Sequence, residues 1–192
     1  MSTVTTLGLI ADTHIPYRMA RLPDCVLTAL AGVDLILHAG DVDDPAALAP
    51  LQTIAPVHAV RGNIHLQDLS DGGASLPAEV RLDLAGYTIV VTHGHQPGIL
   101  GLAMHACDVA LQVSKIKSAH SIRQRIIRYL ARRHPEADIV VFGHSHHATV
   151  QRIGDALLIN PGAVCPSPYE VPTVARLSLG DGRPRVRFVL LK

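Results

Sequence analysis

The sequence is poor in aromatic residues and has almost no net charge. Aromatic side chains make up 3% of the 192 residues, with no Trp, whereas apolar residues in total make up 48%. Aliphatic residues therefore fill most of the core, which is typical of buried strands packed against helices. The formal charge of +1 excludes a strong overall field that would draw the protein to nucleic acid or to an anionic membrane.

The cysteines are too few and too scattered for a structural framework. Cys25, Cys107 and Cys165 are odd in number, lie far apart and form no C-x-x-C pair. This spacing indicates neither a disulfide network nor a zinc site built on thiolates. It favours a reducing compartment.

Long apolar runs, internal repeats and polar linkers are also missing. The first ten residues contain no basic segment, and no apolar run reaches the roughly 18 residues that span a bilayer. We therefore expect a cytoplasmic protein that does not insert in a membrane. Without repeats or linkers, the chain is predicted to form a single domain over residues 1–192.

Short apolar runs in the first half alternate with helical stretches. The runs cover residues 5–11, 35–38 and 57–60, and the helical stretches cover residues 23–31 and 45–53. Alternation of strand and helix is typical of a parallel sheet.

The second half has a different pattern. A hairpin is predicted from residues 80–84 and 87–92, and a buried strand from residues 139–142. A helical insertion is expected around residues 99–135, with apolar residues spaced along one face. Four further strands are predicted at residues 149–153, 156–159, 173–179 and 186–191. This part of the chain is expected to be mainly antiparallel.

Polar side chains follow several of the predicted strands at the point where each strand ends. Asp12 and His14 follow the first strand, Asp41 the second, Asn63 the third, and His93 the second strand of the hairpin. In α/β sheets the loops beyond the carboxyl ends of the strands bind ligands. The pattern predicts that these side chains lie together at one rim.

Two further histidines, His144 and His146, leave the strand at residues 139–142 through Gly143. Separated by one residue, they are placed to face two neighbouring metal ions. Carboxylate, amide and imidazole ligands together favour Mn, Fe, Co, Ni or Zn, whereas calcium prefers oxygen ligands alone. No thiolate belongs to this set, so the residue types do not choose among these metals.

The chain also carries short motifs in a defined order. They are D-T-H from residue 12, G-D from 40, G-N from 62, T-H-G-H from 92, G-H-S-H from 143 and N-P-G from 160. This ordered set resembles the calcineurin-like metallophosphoesterase superfamily, and within it the small bacterial and archaeal phosphodiesterase branch. The resemblance implies a four-layer α/β/β/α sandwich of two mixed sheets.

The resemblance further implies a cage of seven residues for two divalent ions, with Asp41 shared by both. One ion is assigned to Asp12, His14, Asp41 and His146. The other is assigned to Asp41, Asn63, His93 and His144. We expect manganese first, with Fe, Co, Ni or Zn as alternatives. Two such ions, roughly 3.5 to 4 Å apart, can share a hydroxide that attacks a phosphodiester, so no protein nucleophile is required.

The step that protonates the leaving group has no obvious donor. Many relatives carry a His directly after the Gly-Asn pair, where this chain has Ile64. His95 and His65 are the candidate proton donors because either can lie near the metals, and His95 is preferred.

Two alternatives to a phosphodiesterase stay open. The first is a phosphomonoesterase or nucleotide phosphatase of the same fold. The second is a non-catalytic protein-binding scaffold like the phosphoesterase-fold subunit of the retromer complex. A small phosphoester is the expected partner, no membrane partner is expected, and a homo-oligomer is left open.

A basic segment leaves nucleic acid or a nucleotide open as a partner. Residues 115–133 contain seven Lys and Arg and no acid. Because only one aromatic residue, Tyr129, is interleaved with them, the solvated face of an amphipathic helix is the preferred interpretation.

Overall fold

The structure is a computed structural model that describes residues 4–62, 76–94, 119–168, 170–180 and 182–192. Its strands β1 to β10 are, in chain order, Thr5–Ile10, Leu35–His38, Val57–Ala59, Glu79–Leu84, Tyr87–Thr92, Ile139–Phe142, Thr149–Ile153, Ala156–Asn160, Thr173–Gly180 and Gly182–Leu190. Helices α1, α2 and α3 are Asp24–Leu30, Ala49–Gln52 and Ala119–Arg133. The predicted strands are all present, with ends that differ by a few residues.

The strands form two mixed sheets of five strands each. The first has the order β10-β9-β1-β2-β3, and the second has the order β4-β5-β6-β8-β7. Parallel pairs join β1 to β2 and β2 to β3 in the first sheet, and join β5 to β6 and β6 to β8 in the second. The remaining pairs are antiparallel.

The second half is mainly antiparallel, as expected, because β4 pairs with β5, β7 with β8 and β9 with β10 in this way, but it also contains parallel pairs. Strands β5, β6 and β8 belong to the second half of the pattern, yet they pair in parallel. Strands β9 and β10 return to the first sheet, where β9 pairs with β1. Buried apolar strands look alike in either orientation, so the pattern of residues did not reveal their partners.

An apolar layer lies between the two sheets. Alternate residues of each strand point to opposite faces, and Leu7 and Leu9 of β1 share one buried cluster with Ile139 and Val141 of β6. The two sheets thus pack face to face through these side chains, which are fully buried.

Helices cover the outer faces of both sheets. Ile10 and Ile36 of the first sheet pack in a cluster with Val26 and Leu30 of α1. On the other side, Val90, Val140, Phe142 and Leu158 pack against the buried face of α3, which contains Ile126, Ile127 and Leu130. The predicted four-layer α/β/β/α sandwich is confirmed.

The helical stretches differ from the prediction in two places. The segment expected at residues 45–53 is a 3₁₀ turn at Pro45–Leu48 followed by the short helix α2. Pro50 accounts for the break, because its ring clashes with the carbonyl of the residue four positions earlier. In the insertion expected around residues 99–135, α3 confirms the helix over 119–133, and residues 95–118 lie outside the described residues.

Among the described residues, no helix is long and apolar enough to cross a membrane. The single domain over residues 1–192 stays a prediction.

The layer between the sheets is expected to carry much of the stability. Leu177 in β9 is fully buried in it, whereas Leu190 in β10 is 57% exposed. Leu177→Ala should lower the free energy of unfolding by about 2 to 5 kcal/mol, because it removes buried methyl groups and leaves a cavity. Leu190→Ala is the matched control and should change it by less than about 0.5 kcal/mol. Urea unfolding of both variants measures the difference, and equal losses would contradict this account of the core.

Candidate metal centre

The site lies where the carboxyl ends of strands from both sheets meet. Asp12 follows β1 and Asp41 follows β2 in the first sheet, while His93 follows β5 and His144 follows β6 in the second. The expected gathering of polar side chains at one rim is present, and it is shared between the two sheets. Neither sheet alone contains the whole set.

Most of these residues have an unusual backbone conformation. Left-handed φ angles are found at Asp12 (52°), His14 (50°), Asp41 (55°), Asp43 (65°), His144 (68°) and His146 (55°). This region costs a residue with a side chain roughly 1 to 2 kcal/mol. Such strain persists only where the surrounding structure imposes it, and it is concentrated at functional sites.

Backbone hydrogen bonds between the loops impose this conformation. Asp12 N donates to Gly40 O at 3.0 Å and His14 N donates to Asp41 O at 2.9 Å, so the loops after β1 and β2 are joined. Cys165 N donates to Asp12 O at 3.1 Å, which ties in the segment after β8.

The carboxylate of Asp41 lies at the centre of the site. Its Oδ2 atom is 3.1 Å from Nε2 of His14 and 3.3 Å from Nε2 of His93. On the other side, Nε2 of His146 lies 3.6 Å from Oδ1 of Asp12. One ligand atom each from Asp12, His14, Asp41 and His146 lies within 4.8 Å of the others.

The remaining predicted ligands fall into two groups. His144 is beside the cluster, since its ring centre is 5.2 Å from that of His93 and its backbone N donates to Oδ1 of Asp12 at 3.1 Å. Asn63 and the candidate proton donors His65 and His95 lie outside the described residues.

Two histidines of the site are oriented by acceptors behind them. Nδ1 of His14 donates to Oδ2 of Asp43 at 3.2 Å, and Nδ1 of His93 donates to the carbonyl of Ala39 at 2.8 Å. In each case Nε2 faces Asp41. Partners of this kind fix the ring and its tautomer in metal sites. The sequence pattern did not identify Asp43, although it follows Asp41 by only two residues.

Asn160 is a second residue whose role did not emerge from the sequence. It is fully buried, and its Nδ2 donates to the carbonyl of Gly143 at 2.6 Å and to Oγ of Ser145 at 3.1 Å. Its Oδ1 accepts from the backbone N of Gly162 at 2.9 Å. Asn160 therefore holds the loop that carries His144 and His146. The signal was the N-P-G motif, which indicated the family but no role.

The acids and the imidazoles shift one another's protonation. Burial, which would raise the pKa of Asp41, is outweighed by His93 and His14, and the pKa lies well below its usual value. Burial would lower the pKa of His14 and His93, but Asp41 outweighs it and raises both to about 9. Burial raises the pKa of Asp12 to about 7. The cluster thus combines buried acids with positive charge.

These residues fit a divalent cation. Asp12 is fully buried, and its Oδ2 has no hydrogen-bond partner in the part of the chain that the structure describes. Burial lowers the pKa of His146 to about 4, and the neighbouring His14 acts in the same direction, so this imidazole is neutral and able to bind a metal. Carboxylate oxygen and imidazole nitrogen together suit borderline transition metals.

The comparison with known proteins decides the family. Residues 6–182 match the family model of the calcineurin-like phosphoesterase superfamily domain. The chain belongs to this superfamily. Membership supports a metal-dependent phosphoester hydrolase, and the described cluster is a candidate for its metal site.

Similar proteins include two archaeal relatives and a solved structure. A probable metallophosphoesterase of Methanothermobacter thermautotrophicus is 30% identical over 172 residues, covering 90% of this chain and 80% of the relative. Phosphodiesterase MJ0936 of Methanocaldococcus jannaschii is 22% identical over 181 residues, covering 89% and 91%. The crystal structure of Vps29 with zinc from Entamoeba histolytica is 20% identical with a TM-score of 0.58, covering 98% and 100%. That structure shows the shared fold.

Gly143 of this phosphoesterase allows the two sheets to approach at the site. A Cβ at this position would lie 2.6 Å from the carbonyl of Ala39 and 3.1 Å from Oδ2 of Asp12. Gly143→Ala should therefore lower the free energy of unfolding by about 1 to 3 kcal/mol, as overpacking does. Urea unfolding measures the loss.

Gly182→Ala is the matched control, because a Cβ there meets nothing within 4 Å among the described residues. It should change stability by less than about 0.5 kcal/mol. If Gly143→Ala is equally mild, the sheets are not in close contact at this point.

Proposed function

We propose that the protein is a phosphodiesterase that uses two divalent metal ions held at the carboxyl ends of β1, β2, β3, β5 and β6. The observation that carries the proposal is the position of Asp41, whose Oδ2 contacts both His14 and His93. A carboxylate placed in this way is suited to be shared by two ions. Manganese is proposed first, with Fe, Co, Ni or Zn as alternatives.

Each ion would be held by residues from both sheets. The first would bind Asp12, His14, Asp41 and His146. The second would bind Asp41, Asn63, His93 and His144. Two ions in such a site supply a water-derived nucleophile at neutral pH and stabilise the charge on the phosphoryl oxygens.

The protein residues contribute preorganisation and exclusion of water. Asp43 holds His14 in one orientation, and the carbonyl of Ala39 does the same for His93. The two imidazole rings therefore need little rearrangement when an ion binds. Asp12 and Asp41 are almost inaccessible to water, which strengthens their electrostatic interaction with a cation.

The preference for a diester over a monoester is supported by the similarity to phosphodiesterase MJ0936. A phosphomonoesterase or a nucleotide phosphatase uses the same metal chemistry and is the first alternative. A hydrolysis screen of matched aryl diesters and monoesters, with added manganese, distinguishes them.

A protein-binding scaffold is the second alternative, and the likeness to Vps29 is the observation that favours it. Four of the proposed ligands, Asp12, His14, Asp41 and His146, form a group that could hold a metal ion, which favours hydrolysis. Metal binding without turnover of any phosphoester would support the scaffold. A cytoplasmic location, a homo-oligomer and a nucleotide or nucleic-acid partner stay predictions.

Variants of the proposed ligands test the two-ion arrangement. Asp41→Asn should reduce the occupancy of both metal positions, because it removes the shared negative charge. His146→Ala and His93→Ala should each leave about one ion per chain, since each histidine serves one position. Metal content after dialysis and turnover of an aryl phosphodiester are measured together. Loss of a residue that only orients a metal ligand typically lowers activity by about 10- to 100-fold. The activity of Asp41→Asn should fall by more than this, because Asp41 is proposed to bind the ions directly.

Asp155→Asn and His58→Ala are the matched controls, because both side chains are exposed in the structure. They should retain the metal content and the activity of the wild type. An Asp41→Asn variant with full activity and full metal content would refute the assignment of Asp41.

The proton donor is tested through the leaving group. We propose His95, with His65 as the alternative, in place of the His that relatives carry at the position of Ile64. An alkoxide needs a proton to depart, whereas a nitrophenolate is stable as an anion. His95→Ala should therefore slow an alkyl diester by about 10² to 10⁴-fold and an aryl diester far less.

Wild type, His95→Ala and His65→Ala are compared on both substrates at equal metal content. A loss in His65→Ala alone would transfer the role to His65. Absence of a leaving-group-dependent loss in both variants would show that neither histidine is the donor.

A further inference from the structure

Cys165 enters the metal centre from the segment that follows β8. Its exposed fraction is 1%, and its backbone N donates to the carbonyl of Asp12. Its Sγ lies 3.8 Å from Nδ1 of His146 and 3.9 Å from Nη1 of Arg18. The thiol therefore faces the donor cluster, although the spacing of the cysteines indicated no thiolate site.

The thiol has the spacing of a metal ligand. One ligand atom each from His14, His146 and Cys165 lies within 4.8 Å of the others. A tetrahedral ion with a bond of about 2.3 Å to sulfur and about 2.0 Å to nitrogen separates those two atoms by roughly 3.5 Å. The observed 3.8 Å between Sγ and the ring nitrogen of His146 is close to this value.

The cysteine does not stand alone in this arrangement. His14 and His146 also belong to the group that contains Asp12 and Asp41. Asp12 is fully buried, and its Oδ2 has no hydrogen-bond partner among the described residues, as expected of an atom reserved for a cation. The carboxylate group and the thiol group are thus adjacent and share His14 and His146.

We propose that Cys165 supplies a thiolate ligand to a metal ion that His14 and His146 also bind. The inference rests on the proposed metal site and concerns which ion that site prefers. On binding, the S–H bond breaks, the proton passes to solvent and a sulfur–metal bond forms. Thiolates favour zinc, cobalt and iron over manganese, so at this one position a thiophilic ion replaces manganese as the first choice.

Cobalt substitution provides a direct test that does not depend on turnover. The full chain is stripped with a chelator and loaded with Co²⁺, and the near-ultraviolet absorption is recorded for a thiolate-to-cobalt charge-transfer band. The wild type should show this band and Cys165→Ser should lose it. Cys25→Ser is the matched control and should keep it, because Cys25 packs in the apolar cluster around α1.

Metal affinities provide the second readout. Cys165→Ser should weaken Zn²⁺ binding by at least about 10-fold and leave Mn²⁺ binding within about 3-fold, because oxygen and nitrogen ligands suffice for manganese. Competition with a chromophoric chelator measures both constants. Circular dichroism checks that the variant is folded. The charge-transfer band of the wild type tests the proposal even if the variant does not fold.

The outcomes separate this proposal from the proposed function. Bound cobalt with no charge-transfer band in the wild type, or a band that survives in Cys165→Ser, overturns the thiolate ligand alone. Equal weakening of zinc and manganese overturns it as well, because Cys165 would then only orient His146. A wild type that binds no metal ion overturns both proposals.

Discussion

Two carboxylates that water barely reaches, Asp12 and Asp41, impose the central constraint on this structure. A buried charge is tolerated only where opposite charge and hydrogen bonds compensate it. Asp41 is compensated by His14 and His93, and Asp12 is approached by His93. Because both acids follow strands of the first sheet and His93 follows a strand of the second, the compensation by His93 requires that the sheets be packed together. The apolar layer and the polar rim therefore depend on each other.

The elements of the fold could be predicted from the sequence, but their partners could not. Runs of aliphatic residues bounded by turns predicted both ends of the strands Leu35–His38 and Ile139–Phe142 correctly. Nothing in such a run states which strand lies beside it, since pairing is decided by packing between distant segments. The return of β9 to β1 and the parallel pairing of β6 with β8 were missed for this reason.

The site was predictable to the extent that its residues follow strands or belong to short motifs. Asp12, Asp41 and His93 emerged in this way, and the structure brings them together. Asp43 and Cys165 did not, because the contacts that give them a role are made in space. The left-handed backbone at the ligand positions was equally hidden, since local preference alone would disfavour it at residues other than Gly.

The position of β1 in the middle of the first sheet has a consequence for biosynthesis. One neighbour, β2, follows within a few dozen residues, but the other, β9, pairs Thr5 with Leu179 and Leu9 with Ala175. The ribosome makes β1 long before β9, so one side of β1 keeps unpaired N–H and C=O groups until residues 173–180 have been made. Such an edge invites pairing with other chains. A nascent chain that stops before residue 173 would present this edge to chaperones, and the contact order of the finished sheet slows its closure.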